Sequence, residues 1–282
     1  MLENVDKIIM KRLQEHYDYL IAAGFEVVCI MLQGSQNYGL DEYSSEYQSD
    51  VDSKAIVLPH FRNFVYEQPP YSSTIVLENE EHIDVKDIRV MFEMFKKENI
   101  SYIELLYTKY KIINPKYESL IQPLFDNREM IAALDKNQFL KCIVGMCGNK
   151  VKALCHPYPN LIKKIEKYGY DGKQLSHCVR LFEFISRYTK GVPIEECYIT
   201  EDRELLMNLK KQLTPAGDRV LSCDEARAAA SFYFEEAKRI EKMYLSEDNV
   251  VDTKAIEFLN NMKYDILKKK FLEDITYGEE NC

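Results

Sequence analysis

Every strand signal of weight in this chain lies before Pro115. FEVVCIMLQ (25–33) is a short apolar run rich in β-branched residues and reads as a buried strand. KAIVLP (54–59) is a second strand, stopped by Pro59. After the turn at Pro69-Pro70, STIVLE and EHIDVKDI read as a hairpin around Asn79-Glu80-Glu81, and YKIINP (110–115) reads as a last short strand. Helical spacing covers 3–20, the stretch from Asp87 through Ile88, Met91, Phe92 and Phe95, and a segment near 100–108. Past Pro115 it takes over: 117–124, 127–151, 158–168, 173–189, 200–213, 222–242 and 252–272. A chain so divided is α+β, a short mixed sheet with flanking helices followed by an all-helical domain. The expected division is 1–118 and 119–282, and the terminal YGEENC is expected to fray.

Hydrophobic residues make up 46% of the 282 and charged residues 29%, the balance of a folded chain with a sizeable core. The start, MLENVDKIIMKRL, is acidic and amphipathic, which is not the pattern of a secretory signal. No uncharged apolar run reaches the length of a membrane span, so no membrane partner is expected. Eight cysteines form no CxxC pair and fall mostly in apolar or helical stretches, so they read as reduced core thiols of a cytoplasmic protein. Charge is unevenly placed. Residues 141–190 hold ten Lys or Arg against three acids, whereas residues 1–60 hold ten acids against four bases. Opposed patches of this kind suit a site that handles a metal and a polyphosphate together, and they also suit two ordinary solvated faces.

The chemistry concentrates in the first domain. Gly34-Ser35 follows the 25–33 strand at once. A glycine there lets backbone approach a phosphate, and the serine hydroxyl with nearby N–H groups can donate to its oxygens. Asp50-Val51-Asp52 then leads into the next strand. Alternation points Asp50 and Asp52 one way and Val51 into the core. Two carboxylates so close repel unless a cation lies between them, and Mg²⁺ (or Mn²⁺) is the hard ion for carboxylate and phosphate oxygens. Asp84, on the EHIDVKDI strand, would supply a third acid if that strand neighbours the Asp50 strand; Glu80, Glu81 and Asp87 are its alternatives.

The run LQGSQNYGLDEYSSEYQSDVDSKAIVLP resembles the signature of the DNA polymerase beta-like nucleotidyltransferase superfamily: an apolar residue, Gly-Ser, a spacer, then Asp, an apolar residue and Asp. The resemblance implies that Gly34 and Ser35 bind a triphosphate and that Asp50, Asp52 and Asp84 bind divalent metal and carry catalysis. The spacer between Ser35 and Asp50 has 14 residues, at the long end of the pattern. Residues 30–190 further resemble a branch of bacterial and phage nucleotidyltransferases, some associated with RNA repair. That likeness rests on Gly34-Ser-x-x-Tyr-Gly-Leu40, Ser49-Asp-Val-Asp52, Asn99 with Ile103-Glu104-Leu105-Leu106, and Lys167-Tyr-Gly-Tyr-Asp-Gly-Lys173 followed by His177 and Arg180. The branch has Asn-Pro where this chain has Asn99-Ile100.

Lys173, His177 and Arg180 lie at i, i+4 and i+7, so one helical face carries all three; it reads as a clamp for the phosphates of a nucleoside triphosphate or as a solvated basic face. His177 reads equally as a phosphate ligand, a proton shuttle or a packing histidine. Glu104 is expected either to orient Lys173 or Arg180 or to form a plain salt bridge. Tyr38 supports the loop, stacks on a base, or packs like most of the 20 tyrosines. The expected activity is metal-dependent transfer of a nucleoside monophosphate to a hydroxyl, with RNA ends among the acceptors. The alternatives are modification of a small molecule or protein, synthesis of a nucleotide second messenger, and non-catalytic nucleotide binding.

Overall fold

The computed structural model describes residues 4–44, 47–159 and 161–277; the YGEENC expectation lies outside them apart from the Tyr277 backbone. Helix α1 (Val5–Ala22) opens at Asn4, whose side chain accepts the Asp6 N–H. Strand β1 (Glu26–Gln33) follows, then a 3-10 turn (Ser35–Tyr38), β2 (Asp52–Leu58), α2 (Phe61–Val65), β3 (Ser72–Val76), β4 (His82–Asp87), α3 (Ile88–Lys96), α4 (Ile100–Tyr107) and β5 (Lys111–Ile113). Among the described residues only helices come after: α5 (Glu118–Asp126), α6 (Arg128–Ile131), α7 (Lys136–Ala153), α8 (Ile162–Tyr168), α9 (Gly172–Tyr188), α10 (Ile194–Tyr198), α11 (Arg203–Lys211), α12 (Cys223–Tyr244) and α13 (Thr253–Tyr277). The fold class is therefore the expected one, a mixed sheet with helices followed by an all-helical stretch.

The sheet runs β3-β4-β2-β1-β5. β1 is antiparallel to both β2 and β5, β2 is parallel to β4, and β3 is antiparallel to β4. One face is apolar because alternate residues point to it, with a register shift after Val27 absorbing the odd step in β1: Val27, Ile30 and Leu32 of β1, Ala55 and Val57 of β2 with Val51 just before it, and Ile83 and Val85 of β4. Ile9, Leu13 and Leu20 of α1 close over them. Each valine, leucine or isoleucine among them, fully buried, contributes about 1.5–3 kcal/mol. The opposite face carries Asp52, Lys54 and Asp84 by the same alternation, and α3 and α4 pack on the sheet beside them.

Two compact units result: Met1–Asn37, Asp41–Asp135 and Val250–Cys282 form one, and Tyr38–Leu40 with Lys136–Asn249 form the other. This grouping differs from a cut after residue 118, because α5 and α6 stay with the first unit, α13 returns to it and Tyr38–Leu40 goes with the second. α13 packs on α2, α3 and α5. Phe271 lies 5.3 Å from the Phe61 ring and 5.2 Å from Phe64, and Asp274 accepts the Phe61 N–H at 2.8 Å. Helical periodicity tells which face is buried, not which partner buries it. In the second unit α7, α10, α11 and α12 pack on α9, whose Leu175, Cys178, Val179, Leu181, Phe184 and Ile185 are buried. The seven described cysteines are free thiols, four of them buried.

The helix expected over 127–151 is broken into α6 and α7. At the break the Asp135 N–H donates to Glu98 Oε1 at 3.0 Å instead of to a helical carbonyl. Glu98 is wholly buried, and its Oε2 meets no donor. Burial pushes its carboxyl up to about 8, above the Asp135 and Leu134 N–H contacts that pull it down. The folded state therefore holds a proton that the unfolded chain releases near pH 4–5, at about the usual Glu value. Stability from this group is full below that value and declines as pH rises to about 8. Urea unfolding at about pH 5 and about pH 9 is expected to show that loss, and Glu98→Gln, which keeps the acceptor oxygen, is expected to flatten it.

Candidate functional site

At one end of the sheet, Gln33, the last residue of β1, pairs with Asp52, the first of β2. Gly34 comes next and turns the chain at φ +109, a backbone region that costs a glycine nothing and any other residue strain. The 3-10 turn is then fixed by short-range bonds. Asn37 N–H donates to the Gly34 carbonyl at 3.0 Å, Asn37 Nδ2 to the Leu32 carbonyl at 3.1 Å, and Thr108 Oγ1 to Asn37 Oδ1 at 2.8 Å. Gln36 Nε2 donates to the Asp50 carbonyl at 2.8 Å, which ties the turn to the strand entry. Gly34, Ser35, Asp50 and Asp52 are thereby brought to one sheet end.

The two carboxylates are held apart from the core by Val51, which is wholly buried. Its N–H donates to Glu81 Oε1. Glu81, itself buried, also pairs with Arg12 and takes His16 Nε2 at 3.1 Å, and His16 Nδ1 meets Ser53 Oγ at 2.9 Å. Burial pushes the Glu81 carboxyl up, but His16, the Val51 N–H, Asn79 and Arg12 outweigh it and hold it below the usual range. Asp50 is exposed and Asp52 partly so. Asp52 Oδ1 accepts the His82 N–H at 2.9 Å and lies 3.2 Å from His82 Nδ1.

Asp84 pairs in register with Lys54, two residues beyond Asp52. Its carboxylate forms ion pairs with Lys54 and, at 2.8 Å, with Lys86. Burial raises its affinity for a proton, yet the two lysines prevail and keep it ionised below the ordinary carboxylate range. The alternatives named from sequence have other positions: Glu80 occupies the hairpin turn at φ +67, Glu81 is under α1, and Asp87 caps α3 while pairing with Arg89 at 2.6 Å. Glu104 is buried on α4. Among the described residues no three His, Cys, Asp or Glu side chains gather into a group ready to hold a metal ion. The donors that do suit a hard cation are the accessible oxygens of Asp50 and Asp52.

No family model and no curated protein matches the chain. Among solved structures it is similar to a nucleotidyltransferase-like protein from Exiguobacterium sibiricum 255-15, at 12% identity over 95% of this chain and 92% of that one, with a TM-score of 0.27. A likeness at that score carries no argument about function, which rests on the residues themselves. Among the described residues no helix is long and apolar enough to cross a membrane.

The second unit gathers cations. Asp171 caps α9, accepting the Lys173 N–H at 3.1 Å and Lys164 Nζ at 2.7 Å. The Arg180 guanidinium lies 3.6 Å from the centre of the Tyr38 ring, and His177 meets that ring edge-on at 6.4 Å. Arg180 is only 4% exposed, and its Nε and Nη1 are buried without an acceptor. Lys150 of α7 and Lys210 of α11 belong to the same group. Lys210 Nζ donates to the Leu40 carbonyl at 3.2 Å, and Arg203 Nε to the Gly39 carbonyl at 2.9 Å, which fixes the Tyr38–Leu40 segment in this unit. Burial, then Arg180, Lys150, Lys173 and Lys210, push His177 far below the usual histidine range, so it is neutral at pH 7. Burial and the neighbouring Lys173 and Arg180 likewise lower Lys150. Repulsion on this scale is relieved by an anion.

Sequence reasoning did not single out Arg12, His16, Lys54, Lys150 or Lys210. The first three are spread over α1 and β2 with no motif to mark them. Lys150 and Lys210 lie 23 residues before and 37 after Lys173, on helices whose packing on α9 no local pattern specifies.

Proposed function

We propose that this chain is a metal-dependent nucleotidyltransferase that moves a nucleoside monophosphate from a nucleoside triphosphate to a hydroxyl acceptor and releases pyrophosphate. The observation that carries this reading is the Gln33–Asp52 pairing, reinforced by the Gln36 bond to the Asp50 carbonyl, which sets Gly34-Ser35 beside two accessible carboxylates. In this reading Asp50 and Asp52 hold Mg²⁺ or Mn²⁺. The ion would screen the triphosphate and acidify the attacking hydroxyl. Gly34 offers close backbone approach, and Ser35 with the N–H groups of the turn donates to phosphate oxygens. Glu81, through the Val51 N–H, keeps both acids turned outward. Taken by itself, the second unit offers Lys173, Arg180 and neutral His177 as donors of the kind that hold a polyphosphate, with Tyr38 backing Arg180. Glu104 has a supporting place on α4. The basic balance of 141–190 favours an anionic acceptor such as an RNA end over a neutral polyol. The test is to follow a nucleoside triphosphate labelled at the α-phosphate, offered with an RNA pool, polyols and the protein itself. Label is expected on one acceptor class in the presence of Mg²⁺ and on none in EDTA.

A further inference from the structure

A third acid next to an Asp-x-Asp pair ordinarily invites a second metal ion, and Asp84 occupies the place where one would look for it. Its surroundings in the first unit point elsewhere. Lys54 stands directly across from it in the β2–β4 register, and the Lys54 ammonium forms an ion pair with Asp84 Oδ2. Lys86 Nζ takes Oδ1 at 2.8 Å, and Thr74 Oγ1 approaches the same oxygen at 3.3 Å. Both carboxylate oxygens are thus engaged. Lys54 is only 4% exposed and lies 4.2 Å from the centre of the Tyr102 ring on α4. An ammonium so buried needs its carboxylate, because turning Asp84 toward a metal would strand that charge. Two lysines against one acid leave the cluster with a net positive charge, on the strand face that also carries Asp52.

We propose that Lys54, clamped by Asp84, is a fixed protein cation in the place of a second metal, so that this sheet end takes one divalent ion rather than two. The inference rests on the reading that Asp50 and Asp52 hold metal. It reassigns Asp84 from ligand to counter-ion, and it makes Lys54 a positioning residue built into the chain where a metal would come and go.

Mn²⁺ binding, followed by the electron paramagnetic resonance signal of the free ion, separates the possibilities without any need for turnover. Wild type is expected to bind one Mn²⁺ per chain. Asp84→Asn is expected to keep that count with affinity within about twofold, while Asp52→Asn weakens it about tenfold or more. Two ions in the wild type, or an Asp84→Asn loss as large as that of Asp52→Asn, would overturn the proposal. The counter-ion role has its own measurement. Lys54→Met and Asp84→Asn are each expected to lower the thermal midpoint, and the double variant is expected to lose less than the two combined. Fully additive losses would overturn it; Lys54→Arg, which keeps the charge, covers the case in which Lys54→Met fails to fold. If Mn²⁺ binds but neither Asp50→Asn nor Asp52→Asn weakens it, the parent reading of the metal site fails, while the Lys54–Asp84 pair is still decided by the melting cycle.

Discussion

Asp52→Asn is expected to lower nucleotidyl transfer by about two orders of magnitude or more, with the fold left intact. The substitution removes a formal charge from the sheet end where no structural role demands it. Asp52 is the first residue of β2, its side chain is 32% exposed, and the contacts of its Oδ1 are to the N–H and ring of His82. Asparagine keeps an acceptor oxygen for that N–H. Stability should therefore move by no more than about 0.5 kcal/mol, the usual range for a surface change. Transfer rate and urea midpoint are measured on the same preparation. A variant that turns over like wild type would remove Asp52 from the chemistry, and one that unfolds would show a structural acid instead. Glu81→Gln offers the contrast. It disturbs Arg12, His16 and the Val51 N–H together, so activity and stability should fall in step.

Arg180→Met is expected to act in opposite directions on stability and on binding. Arg180 is a buried cation whose Nε and Nη1 have no acceptor; it acts on Lys150, and with Lys150, Lys173 and Lys210 it presses on His177. Replacing it with an apolar side chain that still covers Tyr38 removes an uncompensated charge, so the ligand-free protein should be as stable as wild type or more so. Triphosphate affinity should drop by about one to two decades, because a hydrogen bond to a charged group is worth roughly 1.5–3 kcal/mol. Lys173→Ala should weaken the triphosphate in the same range, alike for all four nucleobases, since in the proposed reading both groups would meet phosphate and not base. Nucleoside monophosphate affinity should change far less. Titration calorimetry at fixed ionic strength gives both affinities, and a thermal melt gives the stability. If Arg180→Met destabilises the free protein and leaves triphosphate binding unmoved, the guanidinium is a packing element.

Much of the architecture could be read from the sequence because it is written locally. The β-branched run before Gly34, the alternation around Val51 and the loss of strand signals after Pro115 each follow from a few neighbouring residues. The same locality placed Lys173, His177 and Arg180 on one helix face. The parts that could not be read depend on pairing across distance. Parallel pairing of β2 with β4 puts Lys54 across from Asp84, and nothing near either residue announces that register. Glu81 offered itself as a spare acid, yet its odd offset of three residues from Asp84 puts it on the other side, under α1 with Arg12 and His16. α2 and α10 are five residues each, too short for a period of 3.6 to show. The return of α13 to the first unit depends on Phe271 meeting Phe61 and Phe64, which sequence spacing does not encode.

Nucleotidyl transfer requires that the acceptor attack the α-phosphorus of the triphosphate. Two preparations of one nucleoside triphosphate, labelled at the α- or at the γ-phosphate, are incubated with the protein, Mg²⁺ and the acceptor pool. The expected result is α-label on the acceptor with γ-label recovered as pyrophosphate, both abolished by EDTA and by Asp52→Asn. Acceptor carrying the γ-label, or hydrolysis to free phosphate with no α-label transferred, would contradict nucleotidyl transfer.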